Sequence, residues 1–122
     1  MEINDLTGQV IGAAIEVHRH LGPGLLESAY EKCLCIELDL RNIPYERQKD
    51  VSFDYKGNRV DNGFRADIIA DKRLIVELKA RDIIPIDEAQ LLTYLKLLHL
   101  KVGLLINFKV LVLKDGIKRM VN

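Results

Sequence analysis

The spacing of apolar positions changes three times along this chain, and each change marks an element. Leu6, Val10, Ala14, Val17 and Leu21 recur at helical spacing and the run stops at Gly22-Pro23-Gly24, which predicts a first helix over 5–21. A second helix is expected from near Leu25 to just before Pro44, with Ala29, Cys33, Ile36 and Leu40 on one stripe and Glu27, Tyr30, Glu31 and Leu34 on an adjoining one. Glu27 then lies in a first turn, where the helix dipole favours an anion. Residues 45–55 alternate, Tyr45, Val51, Phe53 and Tyr55 against Glu46, Gln48, Ser52 and Asp54, as a strand running to the Gly57-Asn58 turn.

Residues 64–80 read as a half-buried two-stranded ribbon closed by Asp71-Lys72-Arg73. Phe64, Ala66, Ile68 and Ala70, with Leu74, Val76, Leu78 and Ala80, form one apolar face, and Arg65, Asp67, Glu77 and Lys79 lie opposite. A three-residue loop sets Asp67 directly across from Glu77. Two carboxylates so placed repel by roughly 0.2–1 kcal/mol in ordinary sheets. A divalent cation between them reverses the sign, whereas on a solvated face Arg65 and Lys79 would neutralise them. Pro85-Ile86-Asp87 leads into a helix of about 87–100 with Leu91, Leu92, Leu95 and Leu98 toward the core and Gln90 and Tyr94 one turn apart on another stripe. The nearly all-apolar run 102–107 suits a central strand covered on both faces. Strands near 108–114 and 117–121, flanking an Asp115-Gly116 hairpin turn, complete the order α, α, β, β, β, α, β, β, β, an α+β pattern.

Composition narrows the function classes. With 122 residues, 48% of them hydrophobic, the chain is read as one domain over 1–122 with no room for a second. Eighteen basic residues cancel eighteen acidic ones, so there is no long-range positive field. Nucleic-acid contact then requires a local patch, for which Arg41, Arg47, Lys49, Lys56 and Arg59 are candidates. The start Met-Glu-Ile-Asn-Asp lacks a basic and apolar leader, and no apolar run reaches the roughly 18 residues of a membrane span, so a cytoplasmic protein without membrane contact is expected. Cys33 and Cys35 sit too close along one helix for an unstrained bridge and read as reduced and structural. With His18, His20 and His99 they show no paired zinc-ligand spacing.

With Asp67 on one strand, Glu77-x-Lys79 on the next and Gln90-x-x-x-Tyr94 on the following helix, the β-β-β-α-β order resembles the PD-(D/E)xK nuclease superfamily, a restriction-endonuclease-like core with a mixed sheet flanked by helices. Gln-x-x-x-Tyr is similar to its RecB-like exonuclease branch. Gly24-Leu-Leu-Glu27-Ser-Ala-Tyr30, following Val17-His18 and Leu21-Gly-Pro-Gly24, looks like the GxxExxY family placed in that superfamily. The resemblance covers essentially the whole chain. It departs at Ala66, where a proline would precede the first aspartate; this removes a diagnostic residue and no ligand.

The resemblance implies a metal-dependent nuclease acting on DNA or RNA. Phosphodiester hydrolysis needs an activated water, neutralised phosphoryl oxygens and a stabilised leaving alkoxide, and Mg²⁺ or Mn²⁺ supplies all three. Hard cations prefer oxygen ligands, here Asp67, Glu77, Glu27 and the backbone carbonyl of Leu78. Lys79 would orient the water or stabilise developing charge, and Gln90 and Tyr94 would position the water, a ligand carboxylate or a phosphate. Each has a plainer reading: Glu27 as a helix-terminus charge, Gln90 as a surface amide, Tyr94 as a half-buried ring, Tyr30 as core. Asp54-x-Lys56 lacks an opposing acid and serves as an internal control. The alternatives are a non-catalytic nucleic-acid-binding or regulatory protein on the same fold, and a small-ligand or protein-interaction module. A homodimer through the 108–121 edge and its Asp115-Gly116 hairpin is the expected assembly.

Overall fold

The structure is a computed structural model that describes all 122 residues. Two helices come first, α1 (Ile3–Leu21) and α2 (Glu27–Leu40), then strands β1 (Tyr45–Tyr55), β2 (Asn58–Ala70) and β3 (Leu74–Lys79). Helix α3 (Pro85–Leu98), strand β4 (Val102–Asn107), a 3-10 turn (Leu113–Gly116) and strand β5 (Ile117–Val121) follow. Between α1 and α2 the chain turns sharply, with Gly22 at φ +70° and Gly24 at φ +104°, values that glycine reaches without a Cβ clash. Tyr30 locks the turn: its hydroxyl donates to the Gly22 carbonyl at 2.6 Å and accepts from the Leu25 N–H at 3.1 Å, while its ring stacks on Phe108. Tyr30 is therefore core, as its plainer reading had it.

The five strands lie in the order β1-β2-β3-β4-β5. Only β3 and β4 are parallel, joined through α3 as the crossover. One face of the sheet packs Ile68, Val76, Leu78, Leu104 and Ile106 against α1 and α2. On the other, Ile69, Ile75 and Leu105 meet Leu91 and Leu95 of α3. Every residue of β4 is buried, as expected of a central strand. The approach of α3 is close enough that a Cβ on Gly103 would come within 2.9 Å of Leu91.

The register of the ribbon is the one its three-residue loop dictates, with Ala70 opposite Leu74, Ile69 opposite Ile75 and Ile68 opposite Val76. Its exposure is not. The face carrying Asp67 and Glu77 also carries Ile69 and Ile75, and this apolar pair draws α3 over it, so β3 is buried on both sides. Phe64 and Ala66 also leave the side expected of them. Ala66 joins the α3 cluster and Phe64 stacks on Tyr94 with ring centroids 4.0 Å apart. Opposite this stretch, in β1, Gln48 adopts φ +50° and the β1–β2 ladder lacks the Gln48–Asp67 pair, while its register shifts further on, between Val51 and Phe53.

Three further expectations fail. On α2 the buried stripe is Tyr30, Glu31, Leu34, Cys35 and Leu38, while Ile36 and Leu40 are exposed. On α3, Leu91 and Leu95 are buried at a spacing of four and Leu92 stays partly outside. Residues 108–114 form no strand. The Phe108 N–H donates to the Lys79 carbonyl at 2.9 Å and the Lys109 N–H to the Asn107 side chain at 2.8 Å, bending the chain away after β4. It returns through the 3-10 turn to β5, which pairs with β4. The terminal hairpin proposed as a dimer interface is therefore not formed, and the free sheet edges belong to β1 and β5. No helix is long and apolar enough to cross a membrane.

Candidate active site

At the end of the β2–β3 ladder, side chains take over from the main chain. Beyond Ile68 and Val76 the strands part, and the next two acids hold them across the gap. The Asp67 N–H donates to Glu77 Oε2 at 2.7 Å, and the Leu78 N–H donates to Asp67 Oδ2 at 2.9 Å. Strand alternation sends the main-chain groups of neighbouring residues to opposite edges. Because the Lys79 carbonyl is taken by Phe108 on the β4 side, the Leu78 carbonyl points into the same gap as its N–H.

Burial makes this pair electrostatically expensive. Glu77 is 5% exposed and Asp67 is half-buried. Burial first, then the charge of Asp67, pushes the Glu77 carboxyl up to about 8. Asp67 is also raised, by burial and by the charges of Glu31 and Glu27, against the pull of the Leu78 N–H and of Lys79. Lys79 favours ionisation of both acids, and its Nζ lies 3.8 Å from Asp87 Oδ1. Arg65 pairs instead with Asp50 at 2.9 Å, so the solvated, self-neutralised face considered as the alternative is absent.

The remaining sequence candidates fall at different depths. Glu27 is exposed at the start of α2, and its charge reaches both Asp67 and Arg81. Half-buried Tyr94 feels both acids, its hydroxyl proton held more tightly by burial and by the charges of Glu77 and Asp67. Gln90 is exposed one turn earlier, with no side-chain hydrogen bond. The control pair stays apart, with Asp54 exposed opposite Arg59 beside the β1–β2 turn. Most of the candidate basic rim is occupied by acids: Arg47 by Glu31 at 2.6 Å, Lys49 by Glu46 at 2.8 Å and Arg59 by Asp61 at 2.6 Å.

Two buried acids were not singled out in the sequence. Glu31, 6% exposed, accepts from Arg47 Nε and Gln48 Nε2, both at 2.6 Å, and so ties α2 to the kink that faces Asp67. Its spacing of four from Glu27 places both on one helix face, a signal that could have found it. Asp87, 4% exposed, accepts from the Ile84 N–H at 2.9 Å and from Arg81 Nη1 and Nη2 at 2.7 and 2.8 Å, and lies 3.8 Å from Lys79 Nζ. The Arg81 guanidinium holds its carboxyl down at about 2. Its place in the first turn after Pro85 is the corresponding signal.

No three His, Cys, Asp or Glu side chains form a ready metal cage. The donor set nevertheless fits a hard divalent cation. It is all oxygen, each carboxylate accepts from one main-chain N–H while Asp67 Oδ1 also accepts from Gln48 Nε2 at 3.4 Å, and a cation there would offset the burial that raises both acids. The model of the PD-(D/E)XK nuclease superfamily matches residues 4–120. Neither a curated protein nor a solved structure matches the chain.

Proposed function

The chain belongs to the PD-(D/E)XK nuclease superfamily, and from that premise we propose that it is a divalent-metal-dependent nuclease hydrolysing phosphodiester bonds of DNA or RNA. The observation that supports the proposal is that Asp67 and Glu77 each accept from the main chain of the other's strand at the point where β2 and β3 part, with Lys79 two residues beyond Glu77 on the same strand. The Gly24–Tyr30 motif further supports a place in the GxxExxY branch.

Asp67 and Glu77 would hold Mg²⁺ or Mn²⁺, the long Gln48 contact to Asp67 Oδ1 at 3.4 Å giving way, with the Leu78 carbonyl as a neutral third ligand and Glu27 reaching in from α2. The bound ion supplies charge neutralisation at the phosphoryl group and a more acidic water. The protein does the rest by position. Its main-chain donors fix both carboxylates, so they need not reorganise when substrate arrives. Lys79 lies on the same face, where it can orient the attacking water or meet the charge developing on phosphorus-bound oxygen. Asp87 steadies that amine from behind, and Asp87 is itself fixed by Arg81 and the start of α3. Tyr94, stacked on Phe64, would act with Gln90 one turn away to position the water, a ligand carboxylate or a phosphate.

The test is cleavage of labelled single- and double-stranded DNA and RNA by purified protein in Mg²⁺ or Mn²⁺ and in chelator. Metal-dependent cleavage is expected, lost in Glu77→Gln and Lys79→Ala and retained in Asp54→Asn. Equal cleavage by wild type and Glu77→Gln would expose a contaminant and remove the proposal.

A further inference from the structure

Arg81 has an unused edge. A guanidinium offers five N–H donors in a planar fork. In Arg81 the end-on pair, one from Nη1 and one from Nη2, is taken bidentately by Asp87, and Nη1 also donates to the Asp82 carbonyl at 2.9 Å. The side-on pair, Nε–H and the second Nη2–H, has no acceptor in the protein. The side chain is 47% exposed while Asp87 beneath it is 4% exposed, so the fork is held rigidly from one side and open on the other.

Its location is specific. Arg81 follows Lys79 by two residues, shares Asp87 with it, and lies where the charge of Glu27 reaches both Arg81 and Asp67. Arg47, Lys49, Arg59 and Arg65 lie on the β1–β2 ribbon and each is paired with an acid. A planar, preorganised pair of donors matches two oxygens of a phosphate, the geometry in which arginine surpasses lysine.

We propose that the side-on edge of Arg81 binds a backbone phosphate of the nucleic-acid strand adjacent to the bond being cut, setting the register of that strand over Asp67, Glu77 and Lys79. The inference rests on the nuclease reading above and adds to it a substrate-binding residue whose partner, Asp87, is structural.

The test is binding without turnover: fluorescence anisotropy of short labelled single-stranded and duplex DNA in Ca²⁺, across a salt series, for wild type, Arg81→Ala, Arg81→Lys and Arg73→Ala. Arg73, paired with Asp71 in the β2–β3 turn at the far end of β3, controls for net charge. Arg81→Ala is expected to weaken binding about tenfold. It should also reduce the slope of log affinity against log salt by about 0.7–0.9, the loss of one phosphate contact. Arg81→Lys should keep the slope and lose affinity, and Arg73→Ala should match wild type. Should Arg81→Ala not fold, as checked by thermal melting, the Arg81→Lys affinity decides. Binding by wild type with an unchanged Arg81 variant overturns this inference alone, as does an equal loss in Arg73→Ala. No binding by wild type to either DNA or the corresponding RNA overturns the nuclease reading with it.

Discussion

Replacing Glu77 by Gln should stabilise the metal-free protein above pH 8 and leave it nearly unchanged near pH 4.5. The folded state holds the Glu77 proton up to about pH 8, against an ordinary value of 4.5. Between these limits the folded protein carries the extra proton, so stability falls as pH rises through the window. At 1.36 kcal/mol for each tenfold change in proton affinity, the full displacement is worth at most about 5 kcal/mol. Relaxation and water entering the gap reduce this, and about 2 kcal/mol is expected. Gln carries no titrating proton, and its amide oxygen can still accept the Asp67 N–H that Glu77 accepts at 2.7 Å. Asp67 is raised in the same direction and interacts with Glu77, so the difference between the two proteins reports the charge of the pair. Urea denaturation in chelator near pH 4.5 and above pH 8 measures it. A difference between variant and wild type equal at the two pH values would refute the reasoning, because the burden would not be the buried charge.

Millimolar Mg²⁺ or Mn²⁺ should raise the melting temperature of wild type above pH 7 and leave that of Glu77→Gln unmoved, since ligand binding to the folded state stabilises it by mass action. Asp87→Asn breaks the hold on Arg81 and Lys79 and should cost about 3 kcal/mol in denaturation measurements. Because Asp87 is held at about 2 against 3.8, its stabilisation is present above pH 3.8 and disappears as pH falls through 2, so the Asn penalty should shrink in acid titration. Tyr30→Phe keeps the stack on Phe108 and leaves the Gly22 and Leu25 main-chain groups without a partner, which should lower stability by about 1–2 kcal/mol in the same assay.

How much of this was legible in the sequence depends on the range of the interaction concerned. The β2–β3 register was readable because a three-residue turn settles it locally, and with it the placing of Asp67 against Glu77. The burial of that face was not, because Ile69 and Ile75 count as a docking surface only once α3 is known to cross there. The change of side at Phe64 and Ala66 lies opposite an irregular stretch of β1, with a positive φ at Gln48 that the sequence does not signal. The Gln48 side chain is held from outside its strand, by its hydrogen bond to Glu31 of α2. Residues 110–112 have the β-branched, apolar character of a strand, yet the preceding main-chain donors are taken by Lys79 and by Asn107 before pairing can begin. Glu31 and Asp87 look like ordinary helix acids until Arg47 and Arg81 arrive from strand and loop.

The two site carboxylates also terminate the β2–β3 ladder, and this constrains how the lineage can change. A descendant that gave up catalysis could discard charge at positions 67 and 77 at a gain in stability, but an aliphatic residue at either would strand a main-chain N–H, of Leu78 or of Asp67 itself. Asn and Gln satisfy the fold without the chemistry. Retired members of such a lineage should therefore keep amides where the acids stood, so that the imprint of a lost site outlasts its activity.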